Sequence, residues 1–400
     1  MPTIVERTQT NGRPTSTPPP RPPRQAPRSD NSGYWAAFSL LLGMLVVVIG
    51  TVAIWMGFSA HDARKDARNA AAAAGAGTSM PGMDMSDSGA AAVTDLSSFA
   101  GQGPANAAAL AERHAAMNAT LPPAPAGPVA KVNLVLVDKT LEIAPGVKYR
   151  AWAFSGGAPA PFIHVRQGQK VELTLTNKGA IPHSVDFHAA RIAPNVAFKD
   201  VQPGASIHYT FVANDPGAFM FHCGTKPVLA HIANGMYGAI IVEPRTPLPH
   251  ADKNYVLVAS EWYLNAPGFP QPAGLDMAKA QRQEPDWVAW NGYAGQYVTH
   301  PLTAQPGETV RFWVVDAGPS FDVDFHIVGT ILNRAWVNAD MTQFQRNIQT
   351  ALVPAGGGGV FDVKIDQPGL YPFVSHSFAS VDLGQVGLLN VGGVKGTMSH

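Results

Sequence analysis

The chain repeats itself, and the repeat limits what it can fold into. Gly-Gln-Lys-Val at 168–171 precedes Val-Asp-Phe-His at 185–188, and Gly-Glu-Thr-Val at 307–310 precedes Val-Asp-Phe-His at 323–326. A second pair follows. Asp-Pro-Gly ending at 217 leads to Phe-His-Cys at 221–223, and Gln-Pro-Gly ending at 369 leads to Ser-His-Ser at 375–377. Tandem copies of one fold explain such a pattern. Around these marks run short stretches of period-two alternation, among them KVNLVLVD, VKYRAWAF, KVELTLTN, SIHYTFV, NYVLVAS, TVRFWVV and GVFDVKI. Alternation on that period reads as half-buried strands, and 39 glycines with 35 prolines favour a turn-rich β protein over a helical bundle. The expected fold is all-β: two Greek-key β-sandwich domains, at 129–246 and 247–400, divided near the prolines at 244–249.

The first 128 residues read differently. Residues 1–33 hold eight prolines and five arginines with almost no bulky apolar side chains, the composition of a disordered tail. Residues 34–58 form an uncharged run of 25, about 37 Å as a helix against a hydrocarbon core of about 30 Å. It is too long for a signal-peptide core, so the expectation is one uncleaved N-terminal transmembrane helix. The arginines before it put the N-terminus in the cytoplasm, leaving the rest extracytoplasmic at the periplasmic or outer cell surface. Residues 59–128, rich in Ala, Gly, Ser and Pro, read as a flexible linker with a short helix between 104 and 118. Met80, Met83, Met85 and His61 within it offer soft copper donors, although stray Met and His are common in linkers.

Lys and Arg number 28, as do Asp and Glu, so a nucleic-acid binder is excluded on charge. Cys223 is the only cysteine. An intrachain disulfide and multi-cysteine zinc or iron–sulfur sites are therefore excluded. The 57 residues at 182–238 hold that cysteine and five of the thirteen histidines. His183, Cys223, His231 and Met236 make the ligand set of a blue-copper centre, a trigonal His₂Cys site with a weak axial Met. Successive side chains on a strand point to opposite faces, so His222 diverges from Cys223 and His188 from His183, and Asp186 shares the face of His188. In the repeat His188 matches His326 and His222 matches His376, whereas His183 matches Phe321 and Cys223 matches Ser377. His188 and His222, completed by His376 or His326 of the second copy, would give three imidazoles and an open Lewis-acid redox site. The His222–Cys223 peptide would then join two coppers covalently.

These residues resemble the copper-containing nitrite reductases, over about 129–395. The resemblance implies two cupredoxin-like domains in a homotrimer, with two coppers per subunit. The type 1 copper would be held by His183, Cys223, His231 and Met236, and the type 2 copper by His188, His222 and a neighbouring subunit's His376. It implies dissimilatory-type, one-electron reduction of nitrite to nitric oxide, with Asp186 and His326 as the acid–base pair and a cytochrome c or cupredoxin as electron donor. Two features depart from the pattern: the short loop at 224–230 and the N-terminal anchor with its linker.

Two other classes compete. A laccase-like multicopper oxidase needs about eight histidines, mostly in His-x-His pairs, and the chain has no such pair. A membrane-tethered cupredoxin carrier with a vestigial second site needs only the first ligand set, which leaves Asp186, His188, His326 and His376 unexplained. Trp287, Trp290 and Tyr293 read either as a docking patch or as packing. His164, His208, His250, His300 and His400 read as surface or edge-strand residues.

Overall fold

The computed structural model describes residues 99–395 apart from 100, 198 and 338. In its first half it holds β1 (Val129–Ala144), β2 (Val147–Phe154), β3 (Ile163–Arg166), β4 (Lys170–Asn177), β5 (Asp186–Phe187), β6 (Ser206–Val212), β7 (Gly217–His222) and β8 (Tyr237–Glu243). They form two sheets, β2-β1-β4-β6 and β3-β8-β7-β5. The second half holds β9 (Lys253–Trp262), β10 (Trp287–Trp290), β11 (Leu302–Ala304), β12 (Thr309–Asp316), β13 (Val323–Ile327), β14 (Leu332–Val337), β15 (Gln345–Ile348), β16 (Thr350–Val353), β17 (Gly358–Lys364), β18 (Gly369–Ser375) and β19 (Val386–Val391). Their sheets run β10-β9-β12-β17-β14-β15 and β11-β19-β18-β13-β16.

With β14, β15 and β16 set aside, the two sheet orders are the same. The parallel pairs recur too: β1 with β4 and β3 with β8 in the first half, β9 with β12 and β11 with β19 in the second. The repeat holds at single-residue register. Phe187 faces Phe221 and Asp186 faces His222. In the second half Phe325 faces Ser375, and the carbonyl of Asp324 accepts the N–H of His376 at 2.7 Å. The architecture is all-β and cupredoxin-like.

Each half closes its own core. In the first, Leu134, Leu136, Val171, Leu173, Phe187, Phe221 and Ile240 pack with Cys223 and Met236. In the second, Leu257, Phe312, Phe325, Phe361 and Phe373 do so. A further apolar layer lies between the halves, where Ala218, Met220, Tyr237, Ala239 and Ile241 meet Val256, Val258, Trp313, Val315 and Val360. Full burial of each such aliphatic side chain contributes about 1.5–3 kcal/mol. The backbones also approach closely there. A Cβ on Gly358 would collide with the carbonyl oxygen of Ala218, so only glycine allows that contact.

The single-pass membrane localisation expected above is corrected: among the described residues no helix is long and apolar enough to cross a membrane. The longest described helix, Ala107–Arg113, has seven residues, about 10 Å where about 30 Å is required. The run at 34–58, the tail at 1–33, His61, Met80, Met83, Met85 and His400 lie outside the described residues. The end of the expected linker has defined contacts with the second half. The N–H of Val256 donates to Ala119 O at 2.7 Å and that of Leu121 to Asn254 O at 3.0 Å, while Tyr297 Oη donates to Met117 O at 2.9 Å. Trp287, Trp290 and Tyr293 are 1–4% exposed, so they serve as packing.

Candidate metal centres

The first centre forms at one end of the first sandwich. Residue 183 follows β4 through a loop held by Asn177, fully buried, which donates from Nδ2 to the carbonyls of Ile181 (2.7 Å) and Val201 (2.8 Å) and accepts the Gly179 N–H at Oδ1 (2.8 Å). Cys223 is the first residue beyond β7, His231 lies on the helix Val228–Ala233 and Met236 just before β8. One backbone hydrogen bond, from Cys223 N–H to Met236 O at 3.1 Å, ties two of these positions together. His183 Nδ1 and His231 Nδ1 are 3.1 Å apart, and Cys223 Sγ lies 3.9 and 3.2 Å from them. Met236 is fully buried in the same cluster as Cys223. Burial, with His231 beside it, lowers the pKa of His183 to about 4, and burial lowers that of His231. Both rings are therefore neutral electron-pair donors at neutral pH. Two imidazoles, a thiol sulfur and a thioether, enclosed and without a competing hard ligand, fit copper.

The sulfur has its own support. Ser184 N–H donates to Cys223 Sγ at 3.3 Å, and Ser184 Oγ accepts the N–H of Gly224 at 3.1 Å. Thr225 Oγ1 lies 3.1 Å from Ser184 Oγ and donates to Asp200 Oδ1 at 2.7 Å. Sequence reasoning missed Asn177, Ser184, Thr225 and Asp200. Only Asn177 left a signal, as the counterpart of Asp316 in the repeat.

The second centre lies on the outer face of the same strands. Asp186, His188 and His222 converge, with the Nε2 atoms of the two histidines 3.1 Å apart and Asp186 Oδ2 at 3.6 Å from His222 and 4.0 Å from His188. The other ring nitrogens are committed. His222 Nδ1 donates to Cys223 O and His188 Nδ1 to Gly356 O, each at 2.9 Å. A carbonyl can only accept, so each proton sits on Nδ1 and each Nε2 lone pair points inward. Two inward lone pairs and a carboxyl group facing one another form a candidate cation site. Burial raises the pKa of Asp186, against the pull of His222 and His188, and burial lowers that of His222. The Gly356 carbonyl belongs to the second half, on a turn whose φ of +78° favours glycine.

His326 and His376 come together elsewhere, with ring centroids 5.2 Å apart at 71° and His326 Nδ1 donating to Gln349 O at 2.7 Å. Among the described residues neither joins the cluster of Asp186, His188 and His222. They lie on the outer face of β13 and at the end of β18, where His376 is exposed beside Phe378, itself 52% exposed.

The copper-containing nitrite reductase of Neisseria gonorrhoeae is 38% identical over 273 residues, covering 66% of this chain and 69% of that protein. The structure of the copper nitrite reductase of Nitrosomonas europaea matches at a TM-score of 0.62 and 34% identity, over 66% of this chain and 94% of that one. This chain belongs to the copper-containing nitrite reductases. A Thermus scotoductus member of this nitrite reductase family matches at a TM-score of 0.60 and 26% identity, over 68% of this chain and 64% of that one. The sequence profile of the multicopper oxidases, the wider group, matches residues 136–247. Copper is the cofactor of this nitrite reductase, and both donor sets suit it.

Among its described residues, the second half of the nitrite reductase holds no donor set of the first kind. Gln385 N–H donates to Ser380 O at 2.9 Å, as Met236 N–H does to His231 O at 3.1 Å, so Ser380 and Gln385 occupy the places of His231 and Met236. Phe321 and Ser377 replace His183 and Cys223. Asp316 replaces Asn177: its Oδ1 still accepts the Gly318 N–H at 2.8 Å, but buried Oδ2 finds no partner among the described residues. Burial pushes its pKa well above the usual carboxylate range, against the Gly318 N–H and with Glu261 adding to the rise. A raised native pKa means that stability is highest below the unfolded value of about 3.9 and falls as pH climbs toward the native one. Asp316→Asn, which restores the donor that Asn177 has, is expected to stabilise the fold at pH 7 by about 1–3 kcal/mol. The gain should shrink towards pH 4. Denaturant melts at pH 4 and pH 7 check it, and equal or lower stability at pH 7 would refute it.

Proposed function

We propose that this chain reduces nitrite to nitric oxide with its two centres acting in series. Nitrite, one electron and two protons give nitric oxide and water. Bound copper supplies one-electron exchange at the first centre and a Lewis-acid position for nitrite at the second. His183, Cys223, His231 and Met236 would hold the type 1 copper. His188 and His222 would hold the type 2 copper with His376 of a neighbouring copy, giving two coppers per subunit in a homotrimer. The observation that carries the reading is the adjacency of His222 and Cys223, two consecutive residues whose side chains belong to different centres. The domains at 129–246 and 247–400 would then divide the labour, the first holding the electron site and the second lending imidazoles to its neighbour.

Proton delivery falls to Asp186 and His326. Asp186 already stands 3.6 Å from His222 Nε2, and its raised pKa favours holding a proton nearer neutral pH. His326 donates from Nδ1 to Gln349 O, which leaves Nε2 free to exchange a proton with substrate. His376, one strand away in the same ring pair, fixes where His326 arrives when the copies assemble. A small electron-donor protein, a cytochrome c or a cupredoxin, would supply the electron.

Loaded with copper and assayed without oxygen, the full chain should bind two coppers and make nitric oxide from nitrite. Asp186→Asn and His326→Ala should each lower turnover about a hundredfold or more with the blue absorption intact. A carrier with a vestigial second centre would bind one copper per chain. A blue protein that accepts electrons and binds two coppers yet makes no nitric oxide would end the proposal.

A further inference from the structure

The first centre is sealed from solvent. His183 is 1% exposed, His231 2% and Cys223 not at all. A donor protein docked on this surface therefore cannot touch a ligand, and the electron has to cross whatever side chain covers them. Trp152 covers both imidazoles. Its ring centroid lies 5.5 Å from that of His183, edge-on at 61°, and 4.8 Å from that of His231 at 52°. Unlike the rings it contacts, it is partly exposed.

The sheet puts it there. β2 is the outermost strand of its sheet, and alternation along it turns Tyr149, Ala151 and Ala153 inward while Lys148, Arg150 and Trp152 face out. The Trp152 N–H donates to Asn234 O at 2.9 Å. Asn234 lies between His231 and Met236, so the backbone bearing the indole is clamped to the segment bearing two ligands. Beside the ring opens a surface groove of about 590 Å³, lined by Asp138, Lys139, Arg150, Trp152 and Leu275 among others. A Cβ built on Gly179 would stand 3.5 Å from His183 Nε2, but this buried glycine has no side chain to bridge the gap.

We infer that Trp152 is the port through which an electron from an external protein donor reaches the first centre. This rests on the reading of that centre as a type 1 site. Tunnelling falls exponentially with the gap to be crossed, and a π system in contact with both imidazoles shortens that gap where a saturated side chain does not. One electron leaves the donor and one arrives at the centre. The indole undergoes no net oxidation or reduction, and no bond or proton moves.

The test uses the copper-loaded full chain, mixed in stopped flow with a reduced cytochrome c as probe, the rate being read from bleaching of the blue absorption. Trp152→Leu should lower the bimolecular rate about tenfold or more and Trp152→Phe about threefold or less. In both, the absorption spectrum, the midpoint potential and the rate of transfer between the centres should stay as in the wild type. A Trp152→Leu protein reduced as fast as wild type overturns the inference. A slowing that comes with a shifted potential, or with equally slowed internal transfer, overturns it too, because the indole would then only position the ligands. If the unaltered chain takes up copper without turning blue, the type 1 reading falls first and the inference with it.

Discussion

His376→Ala lowers nitrite turnover about a thousandfold, and mixing it with His222→Ala subunits brings part of the activity back. The expectation follows from where the imidazoles lie. His376 stands exposed at the end of β18 and joins no donor cluster of its own chain among the described residues, while His188 and His222 wait with both Nε2 lone pairs directed at one point. In the homotrimer proposed above, the exposed imidazole of one copy would meet the pair of the next. A His376→Ala chain still carries the pair, and a His222→Ala chain still carries the third ligand. Random mixing of equal amounts would repair about a quarter of the sites. Each variant alone should keep its blue absorption, since neither side chain belongs to the donor set of His183, Cys223 and His231. Co-refolded or co-expressed mixtures, separated by differential tags and assayed for nitric oxide, provide the measurement. Verified mixed trimers with no recovered activity would place His376 in a role within its own chain.

The second large effect concerns the first centre. Cys223→Ser removes the blue absorption altogether and lowers turnover with a protein electron donor about a thousandfold, while the second centre keeps its copper. The side chains of residues 222 and 223 point to opposite faces, so loss of the sulfur leaves His222 and its hydrogen bond to the carbonyl of residue 223 in place. The repeat places serine at the matching position, Ser377. The second sandwich folds with an exposed serine at the matching place, and the exchange of sulfur for oxygen leaves the rest of the side chain unchanged, so the variant should fold. Absorption and electron paramagnetic resonance spectra give the check. Persistent blue colour, or loss of copper from both centres, would contradict the separation of faces.

The sequence carried the local part of this architecture well. Alternation and the Gly-Pro turns marked most strands. The strand period alone separated Cys223 from His222 and grouped Asp186 with His188, as the register of β5 against β7 has it. The repeat matched His326 to His188 and His376 to His222, and each half sets its two rings together. What escaped was what depends on distant chain. β14 and β15 were not legible because Leu332–Val337 does not alternate and Gln345–Ile348 has no buried residue. The carbonyl of Gly356 reaches His188 across 168 positions, and Asp200 supports Ser184 through Thr225. Backbone acceptors leave no trace in residue identity. Trp152 was hidden for a related reason. It is one aromatic among several in an ordinary strand, and only the folding of β2 against the loop at 234 sets it over two imidazoles. The membrane anchor rested on composition over 34–58, which lies outside the described residues, and no described helix supports it.

The peptide bond between His222 and Cys223 is a coupling without slack. A hinge between the two halves, a breathing loop or a shifting neighbour can alter the surroundings of either centre, but none can lengthen a link made of two adjacent residues in an antiparallel ladder. The coupling along the proposed route inward is therefore fixed by covalent geometry. Assembly, substrate capture and proton supply are left free to be tuned by surfaces that evolve independently of it.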